Sequence, residues 1–234
     1  MNILITGASS GLGLELLKEA LARGHVVIAV DRNPIDSNEN VDFYECDLSD
    51  IDQIENLTRQ LNSKYKVYGI ELIINCACAY LMKRIGSVYE SNELLKSTVV
   101  NFVAPLLIVN NLKPILDIAV NPLVVNISSN AAEGGAFCTH YCMSKGALNS
   151  LTYAINEEFR INGKMRAITF SLGTLNTGFA LREEVLAVTP VIGKDPIINP
   201  DEVAKLIFDI VLKNGFMNFE AIKITPKKQN VRLK

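Results

Sequence analysis

Short runs of β-branched and aliphatic residues alternate with amphipathic helical stretches along the chain, and this alternation constrains the fold more than any other feature. Several of the runs, such as VVIAV, carry no alternating polar positions, which is typical of strands covered by helices on both faces. The pattern therefore predicts a doubly wound α/β fold of the Rossmann type, with a seven-stranded parallel sheet flanked by helices on both faces.

The 234 residues suit one domain, spanning 1–234. The longest stretch without periodicity, residues 178–200, follows the sixth strand, and we expect it to form a substrate lid. The predicted strands are residues 2–6, 26–30, 41–47, 71–77, 122–128, 165–172 and 221–225. The predicted helices are residues 12–23, 50–65, 88–98, 102–118, 141–161 and 200–213, the last with Asn199 as its cap and Pro200 at its first position.

Composition argues against several classes of partner. A formal net charge of −2 gives no basic excess for a phosphate backbone, so we expect no nucleic acid. No apolar run reaches the roughly 18 residues of a membrane span, so we expect no membrane contact. The five cysteines are an odd number and the chain opens directly on a strand pattern, which together favour a reduced, cytoplasmic setting.

The segment TGASSGLG lies between the first strand and the first helix and contains Gly7, Gly11 and Gly13. Glycines at a strand–turn–helix junction let the chain turn tightly and let backbone N–H groups approach a pyrophosphate at the helix N-terminus. The alternative is that the glycines only permit close helix–sheet packing. We favour a dinucleotide site.

Asp31 stands at the end of the second strand, 18 residues beyond Gly13. A carboxylate there can accept hydrogen bonds from the adenosine ribose hydroxyls and repel a 2′-phosphate. Arg32 complicates the choice, because a guanidinium beside the ribose can pair with that phosphate. The glycine loop has Ser9 and Ser10 ahead of Gly11 and no cation, so we expect NAD, with NADP possible.

After the glycine loop come Asp47, Asn75, Asn101, the Ser128–Ser129 pair and Tyr141-x-x-x-Lys145. The order of these motifs resembles that of the short-chain dehydrogenase/reductase family, in its compact single-domain branch. The resemblance runs from residue 1 to about residue 180. It implies hydride transfer between NAD(P) and an alcohol or carbonyl compound, and a homodimer or homotetramer. It also implies that cofactor contacts come from Gly7, Ser9, Ser10, Gly11, Leu12, Gly13, Asp31, Arg32, Asp47, Leu48, Asn75, Ala77, Tyr141, Lys145, Gly173 and Thr177.

Tyr141 is the general acid/base by this resemblance. An unperturbed tyrosine titrates near 10, so a phenolate needs a cation beside it. Lys145 is four residues on and therefore lies on the same helix face. Alone, a Tyr–Lys pair at this spacing is common on half-exposed helices, and only the upstream motifs make it an acid–base centre.

Two serines compete for the position that holds the substrate oxygen. Ser129 matches the family by its place at the strand end, whereas the usual spacing to the tyrosine selects Ser128. Successive strand side chains face opposite ways, so only one can point at the substrate, and we favour Ser129. Asn101 matches the family asparagine that supports a proton relay, with a helix cap as the alternative.

The chain departs from the family pattern after the fourth strand, where Cys76 and Cys78 replace the usual asparagine and glycine, and at Leu172, which replaces a proline. We expect the cysteines to be small buried thiols and no metal site, because there are two histidines and no C-x-x-C pair. The favoured function is an NAD(P)-dependent oxidoreductase of secondary alcohols or carbonyl compounds. The alternative is a dinucleotide-binding redox sensor without turnover.

Overall fold

The computed structural model describes residues 1–135, 138–161, 163–178, 197–213 and 220–225. In these ranges the strands all pair in parallel in one sheet. They are β1 (Asn2–Thr6), β2 (Val26–Asp31), β3 (Val41–Glu45), β4 (Leu72–Asn75), β5 (Leu123–Ser129), β6 (Arg166–Leu172) and β7 (Ala221–Ile224). Their spatial order is β3-β2-β1-β4-β5-β6-β7. The predicted seven-stranded doubly wound sheet is confirmed.

Helices lie in the connections between the strands, except between β2 and β3. They are α1 (Gly11–Ala22), α2 (Ile51–Lys64), α3 (Ser91–Thr98), α4 (Ala104–Leu116), α5 (Thr139–Phe159) and α6 (Pro200–Lys213), with a π-helical turn at Val99–Val103 and a 3₁₀ turn at Asn130–Glu133. Strand side chains alternate between two apolar cores. Ile3 and Ile5 belong to the core under α1 and α6, whereas Leu4 and Ile28 belong to the core under α2 and α4.

Strand β4 is shorter than the predicted 71–77 because its last residues leave the ladder. The backbone N–H groups of Cys76 and Ala77 both donate to Thr6 Oγ1 at 3.1 Å, which turns the chain toward the end of β1. Strand β3 likewise ends two residues before the predicted position. There Ser49 N donates to Asp47 Oδ1 at 2.9 Å and starts a turn.

The predicted helices 88–98 and 102–118 are parts of a single helical run, Ser91–Leu116, in which the π-helical turn joins α3 to α4. The interpretation of Asn101 as a helix cap is therefore wrong, since it lies inside this run and within the π turn. By length and composition alone the 26-residue run could cross a membrane, a test that the buried core helices of globular proteins also pass. Buried residues of α4 pack in the protein core, as in the core helix of a globular domain.

A ladder of buried polar side chains crosses the sheet beneath α5. Asn75, Asn126 and Thr169 occupy matching register positions on β4, β5 and β6. Asn75 Nδ2 donates to Asn126 Oδ1 at 2.8 Å, and Asn126 Nδ2 donates to Thr152 Oγ1 on α5 at 2.8 Å. Thr152 Oγ1 lies 2.6 Å from Thr169 Oγ1. The ladder fixes α5 over β5 and β6.

Replacing Thr152 by valine tests the ladder. The change keeps the side-chain shape but leaves the buried Asn126 amide without its acceptor, so we expect a loss of about 1–3 kcal/mol in the free energy of unfolding. The matched control is Ser150→Ala, which removes an exposed hydroxyl from the same helix and should change that free energy by less than about 0.5 kcal/mol. Equal losses by urea denaturation would show that the ladder contributes nothing.

Candidate active site

The glycine loop closes at the carboxyl end of β1 in a form that needs its glycines. Gly7 and Gly11 have φ of 72° and 54°. A Cβ on Gly7 would lie 2.8 Å from Ala77 Cα, and a Cβ on Gly13 would lie 1.9 Å from the Gly7 oxygen. The loop is therefore packed backbone to backbone, with the start of α1 behind it, and this is the arrangement that a pyrophosphate requires.

Asp31 is tied to this loop at the carboxyl end of β2. Its Oδ2 accepts from Ser9 N at 3.0 Å and its Oδ1 accepts from Asn33 N at 2.9 Å. A carboxylate has about four acceptor positions, so two remain for ribose hydroxyls. Arg32 is exposed beside it.

A cavity of about 440 Å³ lies beyond the end of β3, lined by Asp47, Ser49, Asp50, Ile51, Asp52, Lys96 and Val99. The backbone hydrogen bond from Ser49 lowers the pKa of the Asp47 carboxyl, and the nearby Arg32 and Lys96 add to the effect. Asp47 is therefore a carboxylate at neutral pH. Leu48 is buried in the core rather than in the cavity lining.

The remaining predicted cofactor residues lie at the same edge of the sheet. Gly11 approaches Thr177, since a Cβ on Gly11 would be 3.5 Å from the Thr177 methyl carbon. Gly173 N donates to the Ile224 oxygen at 2.8 Å and so continues the pairing of β6 with β7. Asn75 Nδ2 donates along the sheet to Asn126 Oδ1 at 2.8 Å, and its predicted cofactor contact stays a prediction.

Tyr141 and Lys145 lie near the start of α5, and both are buried, with 8% and 3% of their surface exposed. Lys145 Nζ donates to the Ile127 oxygen on β5 at 2.8 Å and lies 5.8 Å from the centre of the Tyr141 ring. That distance is within the range of a cation–π contact. The helix thus holds an ammonium group beside the phenol ring, as its i, i+4 spacing predicts.

The two serines at the end of β5 point to opposite sides. Ser128 Oγ donates to the Lys145 carbonyl oxygen at 3.3 Å. The Ser129 side chain lies beside the Tyr141 phenol, where it lowers the pKa of that group, and its Oγ accepts from Ala131 N at 3.1 Å. The structure therefore brings Ser129, and not Ser128, to the tyrosine.

Asn101 holds the segment that follows β4. Its Oδ1 accepts from Ala79 N at 2.8 Å, and its Nδ2 donates to the Ala79 oxygen at 2.9 Å. Weaker bonds of 3.3 Å join Nδ2 to Ser97 and Ser144. The side chain acts as a clamp between the π turn and this segment, and π turns inside helices are frequent at functional sites.

Burial is the largest influence on Tyr141 and raises its pKa well above the usual value, while the hydrogen bond from Ser129 lowers it. The phenol therefore carries its proton at neutral pH. A protonated phenol is ready to donate to a carbonyl oxygen.

Two residues close to Tyr141 carried no motif and were missed from the sequence. The Tyr80 ring lies 6.2 Å from the Tyr141 ring. His140 is buried against α3, where Thr98 Oγ1 lies 3.0 Å from its Nε2 and Ser97 Oγ lies 3.4 Å from its Nδ1. The predicted lid at 178–200 falls mainly on residues 179–196, which lie outside the described residues.

A family model described as short chain dehydrogenase matches residues 1–184. The chain belongs to the short-chain dehydrogenase family. Members are oxidoreductases that bind NAD(H) or NADP(H) and act on small molecules.

Curated relatives extend the match beyond the family model. Benzil reductase ((S)-benzoin forming) of Bacillus cereus is 26% identical over 245 residues, covering 95% of this chain and 98% of that protein. The enzyme of the same name from Bacillus subtilis (strain 168) is 32% identical over 186 residues, covering 74% of each chain. Among solved structures, 4-hydroxyisoleucine dehydrogenase complexed with NADH has a TM-score of 0.84 at 24% identity, covering 96% of this chain and 97% of that one.

The short-chain dehydrogenase pattern is altered at Cys76 and Cys78, and both thiols are half-buried. Burial raises the pKa of Cys76 to about 12, so this thiol stays protonated at neutral pH. The Cys78 sulfur makes only a weak contact with the Ala79 oxygen, at 3.7 Å. A metal site has no support among the residues that the structure describes, where no cluster of three or more His, Cys, Asp or Glu side chains occurs.

Proposed function

We propose that this short-chain dehydrogenase transfers a hydride between NAD(P) and a carbonyl compound or secondary alcohol, with Tyr141 as the acid/base. The observation that carries the proposal is the convergence of three side chains: Ser129 lies beside the Tyr141 phenol, and the Lys145 ammonium group lies 5.8 Å from the centre of its ring. A nicotinamide cofactor supplies or accepts the hydride when bound.

Each residue of this group has a separate task in carbonyl reduction. Tyr141 donates its phenolic proton to the carbonyl oxygen as negative charge develops there. Ser129 holds that oxygen by a hydrogen bond. Lys145 stabilises the phenolate that remains, because its ammonium group is within cation–π distance of the ring. Asn101 keeps the Ala79 segment and the π turn in place beside the site and supports return of the proton.

Reduction is the favoured direction. Burial raises the pKa of Tyr141, so the phenol carries the proton that reduction of a carbonyl compound consumes. Two curated relatives are named benzil reductases, so benzil is a suitable first carbonyl probe.

NAD is the favoured cofactor, with NADP possible. The Asp31 carboxylate is held at the end of β2 by Ser9 N and Asn33 N, with acceptor positions left for ribose hydroxyls, and its charge opposes a 2′-phosphate. Arg32 is the residue that could reverse this preference. The other predicted contacts, from the glycine loop to Gly173 and Thr177, lie at the same carboxyl edge of the sheet.

The proposal also covers assembly and setting. Apolar side chains lie exposed on α4 and α5, including Leu106 at 50% and Met143 at 68%, which supports a homodimer or homotetramer built on these helices. A monomeric mass by light scattering at micromolar concentration would contradict it.

We place the enzyme in the cytoplasm as one domain with a lid at 178–200, and cell fractionation tests the compartment.

A redox sensor that binds the dinucleotide without turnover is the second candidate. It is favoured by the Cys76 and Cys78 replacements beside the predicted cofactor site. It is disfavoured by the retained Tyr141, Ser129 and Lys145, which a sensor does not need.

Replacing Tyr141 by phenylalanine separates the two candidates. We expect carbonyl reduction with NADH, followed by nicotinamide absorbance, to fall by about 10²–10⁴-fold because the proton donor is lost, while NADH binding is retained. The control is Tyr153→Phe, which removes a hydroxyl from the same helix at a position 48% exposed. A wild-type protein that binds NADH but reduces no carbonyl compound would favour the sensor.

The cofactor preference is tested by Asp31→Ala. Since hydrogen bonds to a charged group contribute about 1.5–3 kcal/mol, NADH affinity should fall about tenfold to a hundredfold, and NADPH affinity should be unchanged or higher. Asp36→Ala removes the same charge from an exposed neighbour and should leave both affinities unchanged. Nicotinamide fluorescence measures both. A variant that loses NADH and NADPH equally would contradict the assigned role of Asp31.

A further inference from the structure

A pair of thiols adjoins the tyrosine in the first turn of α5. Cys138, the N-cap of the helix, and Cys142 place their sulfur atoms 3.3 Å apart. Cys142 N donates to the Cys138 oxygen at 2.9 Å, so the backbone of this turn is already closed. The three residues between the two cysteines end with Tyr141.

Backbone packs directly against the sulfur pair. A Cβ on Gly135 would lie 3.0 Å from Cys138 Sγ and 3.4 Å from Cys142 Sγ. Cys142 Sγ also lies 3.8 Å from the Gly135 oxygen. The two sulfurs are thus held facing one another, and nothing in the proposed reaction of Tyr141 uses them.

We propose that Cys138 and Cys142 form an oxidation site, a dithiol that hydroperoxides convert to a disulfide, and that the disulfide lowers turnover at Tyr141. The effect on turnover rests on the proposed function, whereas the oxidation itself does not.

Cys142 reacts first, because it is the more accessible thiol: Cys142 is half-buried, whereas Cys138 is buried with 5% of its surface exposed. The Cys142 thiolate attacks one peroxide oxygen and the O–O bond breaks. This gives a sulfenic acid on Cys142, and the released oxygen leaves as water or an alcohol after taking a proton. Cys138 then attacks the Cys142 sulfur, the S–S bond forms, and the hydroxyl of the sulfenic acid leaves as water with the Cys138 proton. Two thiols lose two electrons and the peroxide gains them.

The order of the two steps agrees with the surroundings of Cys138. Burial, reinforced by the neighbouring Cys142, raises the pKa of Cys138 to about 12. Once Cys142 is a neutral sulfenic acid, its part in this shift is gone, and the 3.3 Å contact between the sulfurs lets Cys138 react as the resolving thiol.

The disulfide changes the position of Tyr141. A disulfide has an S–S distance of about 2.05 Å, so the sulfurs must approach by about 1.2 Å, and the turn that carries Tyr141 must absorb the movement. The phenol has to keep its contact with Ser129, and a misplacement of about 1 Å can lower a rate about a hundredfold. We expect oxidation to lower carbonyl turnover by about tenfold to a hundredfold.

The sequence allows a direct mass measurement. Trypsin cuts after Lys96 and Lys145 but not between Lys113 and Pro114, so the peptide 97–145 contains both cysteines of the pair and no others. The purified protein is treated with micromolar hydrogen peroxide, and its free thiols are alkylated. After digestion with trypsin, the mass of peptide 97–145 is measured by mass spectrometry. The expected product has lost two hydrogen atoms and takes up no alkyl group. Dithiothreitol should restore both the alkylation and the turnover.

Two variants serve as controls. Cys138→Ser replaces the resolving thiol by a hydroxyl of similar size, so its turnover should resist the same treatment. Cys46→Ala removes a buried cysteine elsewhere and should still give the modified peptide.

The proposal is overturned if peptide 97–145 stays fully alkylated after the treatment, whether or not the peptide with Cys76 and Cys78 is oxidised. It is also overturned if the disulfide forms and turnover is unchanged. Absence of turnover in both redox states would count against the proposed function, while the peptide mass would still decide whether the oxidation site exists.

Discussion

The hydrogen bond from the Lys145 ammonium group to the Ile127 carbonyl oxygen, 2.8 Å long and buried, ties α5 to β5 and sets the positions of Tyr141 and Lys145. It holds the lysine cation beside the Tyr141 ring. It also fixes the helix over the end of β5, where Ser129 meets the phenol. Further along α5, Thr152 joins the same helix to the polar ladder of Asn126 and Thr169. The acid–base group is thus positioned by a rigid helix held on two neighbouring strands.

Parallel pairing explains why residues distant in sequence come together. All carboxyl ends of the described strands lie at one edge, so the glycine loop after β1, Asp31 on β2 and the serines of β5 share that edge. Local contacts then refine it. Thr6 draws the Cys76 and Ala77 backbone to the end of β1, and the close approach of Ala77 leaves no room for a side chain on Gly7.

The sequence was sufficient for the sheet because buried parallel strands and their crossover helices have strong patterns. Asp31 and the Tyr–Lys pair were also predictable, since each follows from a strand end or a helical spacing. The Asn75–Asn126–Thr152 ladder was not, because it depends on the register between strands that no local pattern encodes. The π turn and the Asn101 clamp on Ala79 were missed for a related reason: the contact spans 22 residues. Strand alternation left Ser128 and Ser129 as alternatives, and only three-dimensional contacts separate them.

The most direct test of the acid–base centre compares Ser129→Ala with Ser128→Ala in the reduction of benzil by NADH. Ser129 contacts the phenol, so its loss should lower turnover by about 10²–10³-fold, the range seen when a donor to a developing oxyanion is removed. Ser128 contacts the Lys145 carbonyl oxygen, and its loss should lower turnover less than about tenfold. Equal losses, or a larger loss for Ser128→Ala, would contradict the arrangement in which Ser129, Tyr141 and Lys145 form the reacting group.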